Sequence, residues 1–204
     1  MKYIDFYNHF KEYPIIHLSD IKNAESDFDH RRLYEWQKKH YLKKVANNFY
    51  IFADKQLSDF EMNFISNKLY EPSYLSFEYS LSYYDLIPET VFLYTSVTTK
   101  KTRIIKSEIG NFSYRNIKTE LFFGYRLIKN EKISFKIADP EKALLDFLYF
   151  RSDIVNKNDV YELRLNKEVF KETIGCGKLN NYLRKFNSKK ITQKIKLINA
   201  YVGS

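Results

Sequence analysis

One cysteine, five glycines and four prolines are all that this chain of 204 residues holds of the types that most constrain a backbone. With Cys176 alone, no intramolecular disulfide framework can form, and a reducing, cytoplasmic setting is expected. The scattered glycines exclude a glycine-rich phosphate loop. No apolar run approaches the roughly 20 residues of a membrane span. The opening Met1-Lys2-Tyr3-Ile4-Asp5 lacks the apolar stretch of a signal peptide. All four histidines (His9, His17, His30 and His40) fall in the first 40 residues, so the later chain offers no imidazole base or ligand. Cys176 lies between Gly175 and Gly177 with no histidine near it in the sequence, which leaves it without the base or positive field that activates a thiol. Ser26-Asp27-Phe28-Asp29 brings two carboxylates together, but it lacks the glycine and strand context of a nucleotidyltransferase site, and helix capping accounts for Asp29. Neither catalysis, a cofactor nor a metal is expected.

What is present is aromatic and basic. Eighteen tyrosines and 17 phenylalanines within a 44% hydrophobic composition are ample for a packed core. The net charge of +9 favours a polyanionic partner, and its distribution is uneven. Residues 1–69 and 70–150 each carry 11 Lys and Arg against 10 Asp and Glu, whereas residues 151–204 carry 12 against 5. A second, local concentration runs from Arg31 to Lys44, with six cations and Glu35 as the one acid.

That local concentration has a recognisable outline. Tyr3, Phe6, Tyr7 and Phe10 repeat at helical spacing up to Pro14. A short helix is expected after Ser19 as its cap, and a third from Asp29 to about Lys39, held to the core by Leu33 and Trp36. The opposite face of the third helix carries Arg31, Tyr34, Glu35 and Lys38. Leu42 to Val45 and Phe49 to Phe52 alternate about Asn47-Asn48, a pair that tolerates a tight turn, so a basic hairpin follows the helix. Three helices leading into a hairpin are the outline of a winged helix-turn-helix. In that reading Arg31, Tyr34, Glu35 and Lys38 face base edges, and Arg32, Lys39, Lys43 and Lys44 sit on phosphates.

Beyond a connecting helix over Leu57 to Leu69, the spacing predicts a helix over Ser76 to Leu86. Strands are expected over Val91 to Thr98, Arg103 to Ile117 (turning at Gly110-Asn111), Phe122 to Ile128 and Ile133 to Ile137. Asp139-Pro140-Glu141 opens a helix through Phe150 that is apolar nearly all round. Leu163 to Ile174 and Leu179 to Tyr201 read as helical, the second strongly basic. Thr98, Thr99, Lys100, Lys101 and Arg103 gather hydroxyls and cations at a strand end, a candidate surface for phosphate or a partner.

The central segments carry a resemblance. Tyr74-Leu75-Ser76-Phe77-Glu78-Tyr79-Ser80-Leu81-Ser82-Tyr83-Tyr84, Ser96-Val97-Thr98-Thr99-Lys100-Lys101-Thr102-Arg103, Phe122-Phe123-Gly124 and Ala138-Asp139-Pro140-Glu141-Lys142-Ala143-Leu144-Leu145-Asp146 resemble, in order, the AbiEi-type antitoxins of bacterial abortive-infection, type IV toxin–antitoxin systems. Asp85 departs from the pattern, standing where a glycine is common, and the tail beyond Phe150 has no counterpart in it. The resemblance implies an N-terminal DNA-binding domain that represses its own operon. It also implies a C-terminal domain that counters a nucleotidyltransferase toxin without a stable complex.

The expectation is therefore an α+β chain. Residues 1–69 would form a winged helix-turn-helix. Residues 70–204 would form an antitoxin domain with a mainly antiparallel sheet (about 70–150) and a basic helical tail (about 151–204). Its partners would be double-stranded operator DNA with inverted repeats, bound by two copies, and functionally the toxin; no membrane is expected. The competing expectations are an antitoxin acting through protein or RNA contacts of the C-terminal domain and, third, a nuclease-type enzyme.

Overall fold

The computed structural model describes residues 1–203, and among them ten α-helices and two sheets form a mixed α+β fold. α1 (Tyr3–Phe10) turns Phe6 and Phe10 inward. After Pro14 the chain makes a two-residue strand, β1 (Ile16–His17), which alternation over so short a span does not announce. α2 (Leu18–Ala24) begins just before Ser19, not after it. The cap is His17, whose Nδ1 accepts the Ser19 amide at 3.2 Å while Asp20 accepts the His17 amide at 2.9 Å. α3 (Arg31–Lys38) buries Leu33 and Trp36 as its spacing predicts. β2 (Leu42–Ala46) and β3 (Phe49–Phe52) pair antiparallel, with β1 on the far side of β3, so the sheet order is β1-β3-β2. Asn48 supplies the left-handed residue of the turn at φ +65°, a conformation asparagine accepts readily.

α4 (Asp59–Leu69) starts on a Ser58–Glu61 capping box. It is more than a connector, since it packs on the second sheet. That sheet comprises β4 (Ser73–Leu75), β5 (Leu93–Thr98), β6 (Arg103–Ser107), β7 (Gly110–Asn116), β8 (Tyr125–Lys129) and β9 (Ser134–Ala138), in the order β6-β7-β5-β4-β9-β8. The sheet is mainly antiparallel, as expected, with two parallel pairings within it. β6–β7, β4–β5 and β8–β9 are antiparallel, but β5–β7 runs parallel through six residue pairs and β4–β9 is parallel as well. The reason is that β6 lies outside β7, so β7 returns beside β5 in the same direction. The β6–β7 turn falls at Glu108-Ile109, and Gly110 opens β7.

The remaining helices cover one face of this sheet: α5 (Phe77–Tyr83), α6 (Pro140–Phe150), α7 (Lys157–Glu162), α8 (Lys167–Thr173), α9 (Cys176–Phe186) and α10 (Lys189–Val202). Asp139 caps α6 by accepting the Lys142 amide at 3.0 Å, with Pro140 at the first helical position. The stretch that reads as one basic helix is two. Asn187 breaks it at φ +45°, and Ser188 caps α10. α7 was not anticipated, although Asn156 and Asp159 form its capping box.

Alternation along the strands explains which side faces what. Tyr74, Val97 and Ala138 join the core beneath α5 and α6, while Leu75, Phe135 and Ile137 face the opposite side. On that second side, Ile15, Val45 and Ile51 share one cluster with Met62, Ile65 and Leu69 of α4 and with Ile105, Phe112 and Tyr114 of the sheet. The N-terminal unit is thus bonded to the larger sheet by a common core.

Candidate nucleic-acid interface

The side chains that anchor α3 determine what it presents. The Trp36 ring lies 4.7 Å from the Phe6 ring and 5.5 Å from that of Tyr3, centroid to centroid, and Leu33 is buried beside it. With that stripe turned inward, Arg31, Arg32, Tyr34, Glu35, Lys38 and Lys39 are all exposed. β2 continues the surface, because Leu42 and Val45 point to the core while Lys43 and Lys44 point out. All eight candidate positions therefore reach solvent from one helix and the strand that follows it.

Two of the cations are already engaged. The Arg31 guanidinium holds Asp29 at 3.1 Å, and this bond keeps the Asp29 carboxyl below its usual range. Asp29 also accepts the Arg31 amide at 3.0 Å, but the N-cap position falls one residue later than expected, on His30, whose side chain makes no cap bond. Arg32 donates to the Met1 carbonyl at 2.9 Å, and the Met1 ammonium in turn pairs with Glu25 at 2.6 Å, so Arg32 ties α3 to the chain start. Lys38 lies 4.7 Å from the ring centre of Tyr34, which is 62% exposed. If the face binds phosphate or bases, Asp29 competes for Arg31. Asp29→Asn keeps an acceptor for the helix start, since asparagine caps as well as aspartate. We expect it to raise duplex affinity severalfold at low salt, measured by fluorescence anisotropy. Weaker binding would show that the carboxylate orients Arg31 productively.

The second candidate surface changes in one respect. Thr98 is buried, donating its hydroxyl to the Pro72 carbonyl at 2.8 Å, so it belongs to the sheet and drops out of the surface set. Its oxygen accepts the Lys100 amide at 3.1 Å and shapes the turn. Thr99 is half-buried, while Lys100, Lys101 and Arg103 are exposed. The Asn116 side chain donates to the carbonyls of Thr99 and Lys100, and Lys100 and Arg103 both stand 5.5 Å from the Tyr70 ring centre. β2, which carries Lys43 and Lys44, packs against β6, the strand that Arg103 opens.

A buried polar cluster lies on the other face of the large sheet, within the segments that carry the resemblance. Lys142 and Asp146, one turn apart on α6, form an ion pair with no exposed side-chain surface. The Tyr74 and Ser76 hydroxyls donate to the same Asp146 oxygen at 3.0 and 2.8 Å, and Lys142 donates to Tyr74 at 2.9 Å. Burial pushes the Asp146 carboxyl up and the Lys142 ammonium down, while their mutual attraction opposes both shifts. Phe77, next to Ser76, holds φ +59°, a strained conformation for a bulky residue. Reading α6 only as a helix that is apolar nearly all round misses this arrangement. The available signal was a Lys–Asp pair at i, i+4 on an otherwise apolar helix.

Among the described residues no helix is long and apolar enough to cross a membrane, and no group of three or more His, Cys, Asp or Glu gathers as a metal site. No family model matches the chain, and no curated protein matches it.

Proposed function

We propose that this chain is a DNA-binding autorepressor and antitoxin of the AbiEi type, with residues 1–69 read as a winged helix-turn-helix. The observation that carries the reading is the exposure of all eight α3 and β2 side chains on a helix anchored by Leu33 and Trp36. The order α1-β1-α2-α3-β2-β3, with β1 closing on β3, supports it: α3 takes the place of the recognition helix and the β2–β3 hairpin that of the wing. Arg31, Tyr34, Glu35 and Lys38 meet base edges, while Lys39, Lys43 and Lys44 meet phosphates. Arg32 reaches phosphate only by giving up the Met1 carbonyl. Lys100, Lys101 and Arg103 extend the phosphate track. Two copies bind inverted half-sites in the chain's own promoter, and the C-terminal part counters a nucleotidyltransferase toxin.

The test is anisotropy of the full chain on its upstream DNA and on a scrambled duplex, across a salt series. We expect at least a tenfold preference for the upstream DNA. Lys43→Ala should weaken both duplexes alike and flatten the log–log salt slope by about 0.9. Arg31→Ala should erase about 1–3 kcal/mol of discrimination. Equal, steeply salt-dependent binding of both duplexes by the unaltered chain would refute sequence reading by α3.

A further inference from the structure

The last acidic residue is Glu172; the chain from Thr173 to Ser204 holds seven Lys and Arg and no Asp or Glu. Two of the seven serve the fold. Lys178 bridges Asp139 and Glu141 at 3.0 and 3.2 Å, and Lys194 donates to the Leu148 and Arg151 carbonyls at the end of α6. Others surround an open groove of about 560 Å³ between α9 and α10. Arg184 lines it from α9, Lys189 and Lys196 from α10, with Asn180, Thr192 and Gln193 between them. The three cations are exposed.

We propose that this groove binds a single strand of RNA along its sugar–phosphate backbone. A polyanion fits an acid-free groove with cations on both walls. A protein partner fits poorly, because no large apolar side chain is exposed between residues 162 and 203 to serve as an anchor. A duplex is too wide to enter a crevice between adjacent helices whose axes lie roughly 8–10 Å apart, so one strand enters. The amides of Asn180 and Gln193 both donate and accept, and the Thr192 hydroxyl, which donates to the Ser188 carbonyl at 3.0 Å, keeps its lone pairs to accept, matching the 2′-hydroxyl that marks RNA against DNA. The groove lies with α6 on the opposite side of the six-stranded sheet from the N-terminal unit, so it works independently of α3.

The experiment compares the full chain with the triple variant Arg184→Gln, Lys189→Gln, Lys196→Gln and with the double variant Arg31→Ala, Lys38→Ala. The probes are a labelled 12-nucleotide RNA, the DNA strand of the same sequence, and the upstream duplex. Glutamine keeps helix propensity, and far-UV circular dichroism checks that the triple variant is folded. We expect the RNA to bind at least tenfold more tightly than the DNA strand. The triple variant should lose at least tenfold in RNA affinity, with a log–log salt slope shallower by about 2, as three contacts to a single strand require. The double variant should keep RNA binding and lose duplex preference. Equal affinity for the two strands, or RNA affinity unchanged in the triple variant, overturns the proposal. Loss of duplex preference in the unaltered chain would overturn the reading of α3 alone.

Discussion

Asp146→Ala is expected to destabilise the fold by about 3–5 kcal/mol, because removing one partner of a buried ion pair strands the other. Lys142 would keep its ammonium beneath the helical layer with the Tyr74 hydroxyl to accept it and only the rings of Phe123 and Phe186, 5.1 and 4.9 Å away, in place of the carboxylate. Ser76 and Tyr74 would each lose the acceptor that joins their strand end to α6. Ser76 also precedes Phe77, whose left-handed backbone costs on the order of 1–3 kcal/mol and depends on fixed surroundings. The double change Lys142→Met with Asp146→Leu should recover part of the loss, since an apolar pair avoids desolvating charge, but not all of it, because the two hydroxyls remain unpaired. Urea unfolding of the three proteins measures this directly. A loss below about 1 kcal/mol for Asp146→Ala would mean that the pair is hydrated and contributes no more than a surface bridge.

Trp36→Ala is the second large effect. Truncating a buried tryptophan typically costs about 3–5 kcal/mol, and here it empties the contact between α3 and the rings of Phe6, Tyr3 and Phe28. The consequence for function differs from that of Arg31→Ala. Loosening the anchored stripe of α3 should lower affinity for operator and scrambled duplex together, whereas Arg31→Ala should leave the melting temperature unchanged. Thermal unfolding paired with anisotropy separates the two. Unchanged affinity for both duplexes in a destabilised Trp36→Ala protein would show that this side chain does not hold the α3 surface. Point changes are better suited to this comparison than truncation at residue 70, which would remove α4 and two thirds of the buried cluster formed with Ile105, Phe112 and Tyr114.

Local periodicity revealed α1, α3, the β2–β3 hairpin and α6, because each has a long enough repeat or an unambiguous cap: Leu33 with Trp36, Asn48 in the turn, Asp139 before Pro140. It failed where two residues suffice for a strand, as in β1, and where a single left-handed asparagine divides a continuous basic pattern, as at Asn187. Sheet order was not legible either. That β7 lies parallel to β5 depends on where the β6 hairpin folds back, which no spacing records. The exposed candidates of α3 could be picked out because burial of their neighbours follows the helix period, whereas in β2 the adjacent Lys43 and Lys44 are both exposed beside a register irregularity. Thr98 could not, since the hydroxyl of a strand-end threonine reads the same whether it meets solvent or the Pro72 carbonyl. The Lys142–Asp146 pair was hidden because burial of a charge depends on α5, α9 and strand β4 arriving around it.

The sheet's winding has a consequence in time. Leu75 pairs with Ile137, and Ile15 shares a cluster with Phe112, so neither side of the central strands can close until distant chain has been made. Closing loops of that span costs entropy before the contacts form, which slows assembly. During synthesis the antiparallel β4–β5 pair, joined through α5, has an open edge until β9 emerges. Ser73 on β4 and Thr95, Ser96 and Thr98 on β5, all buried in the finished protein, give these strands a polar character that a run of valines and isoleucines would lack. Until then those hydroxyls lower the hydrophobicity of an unpaired edge, the property on which self-association of exposed strands depends.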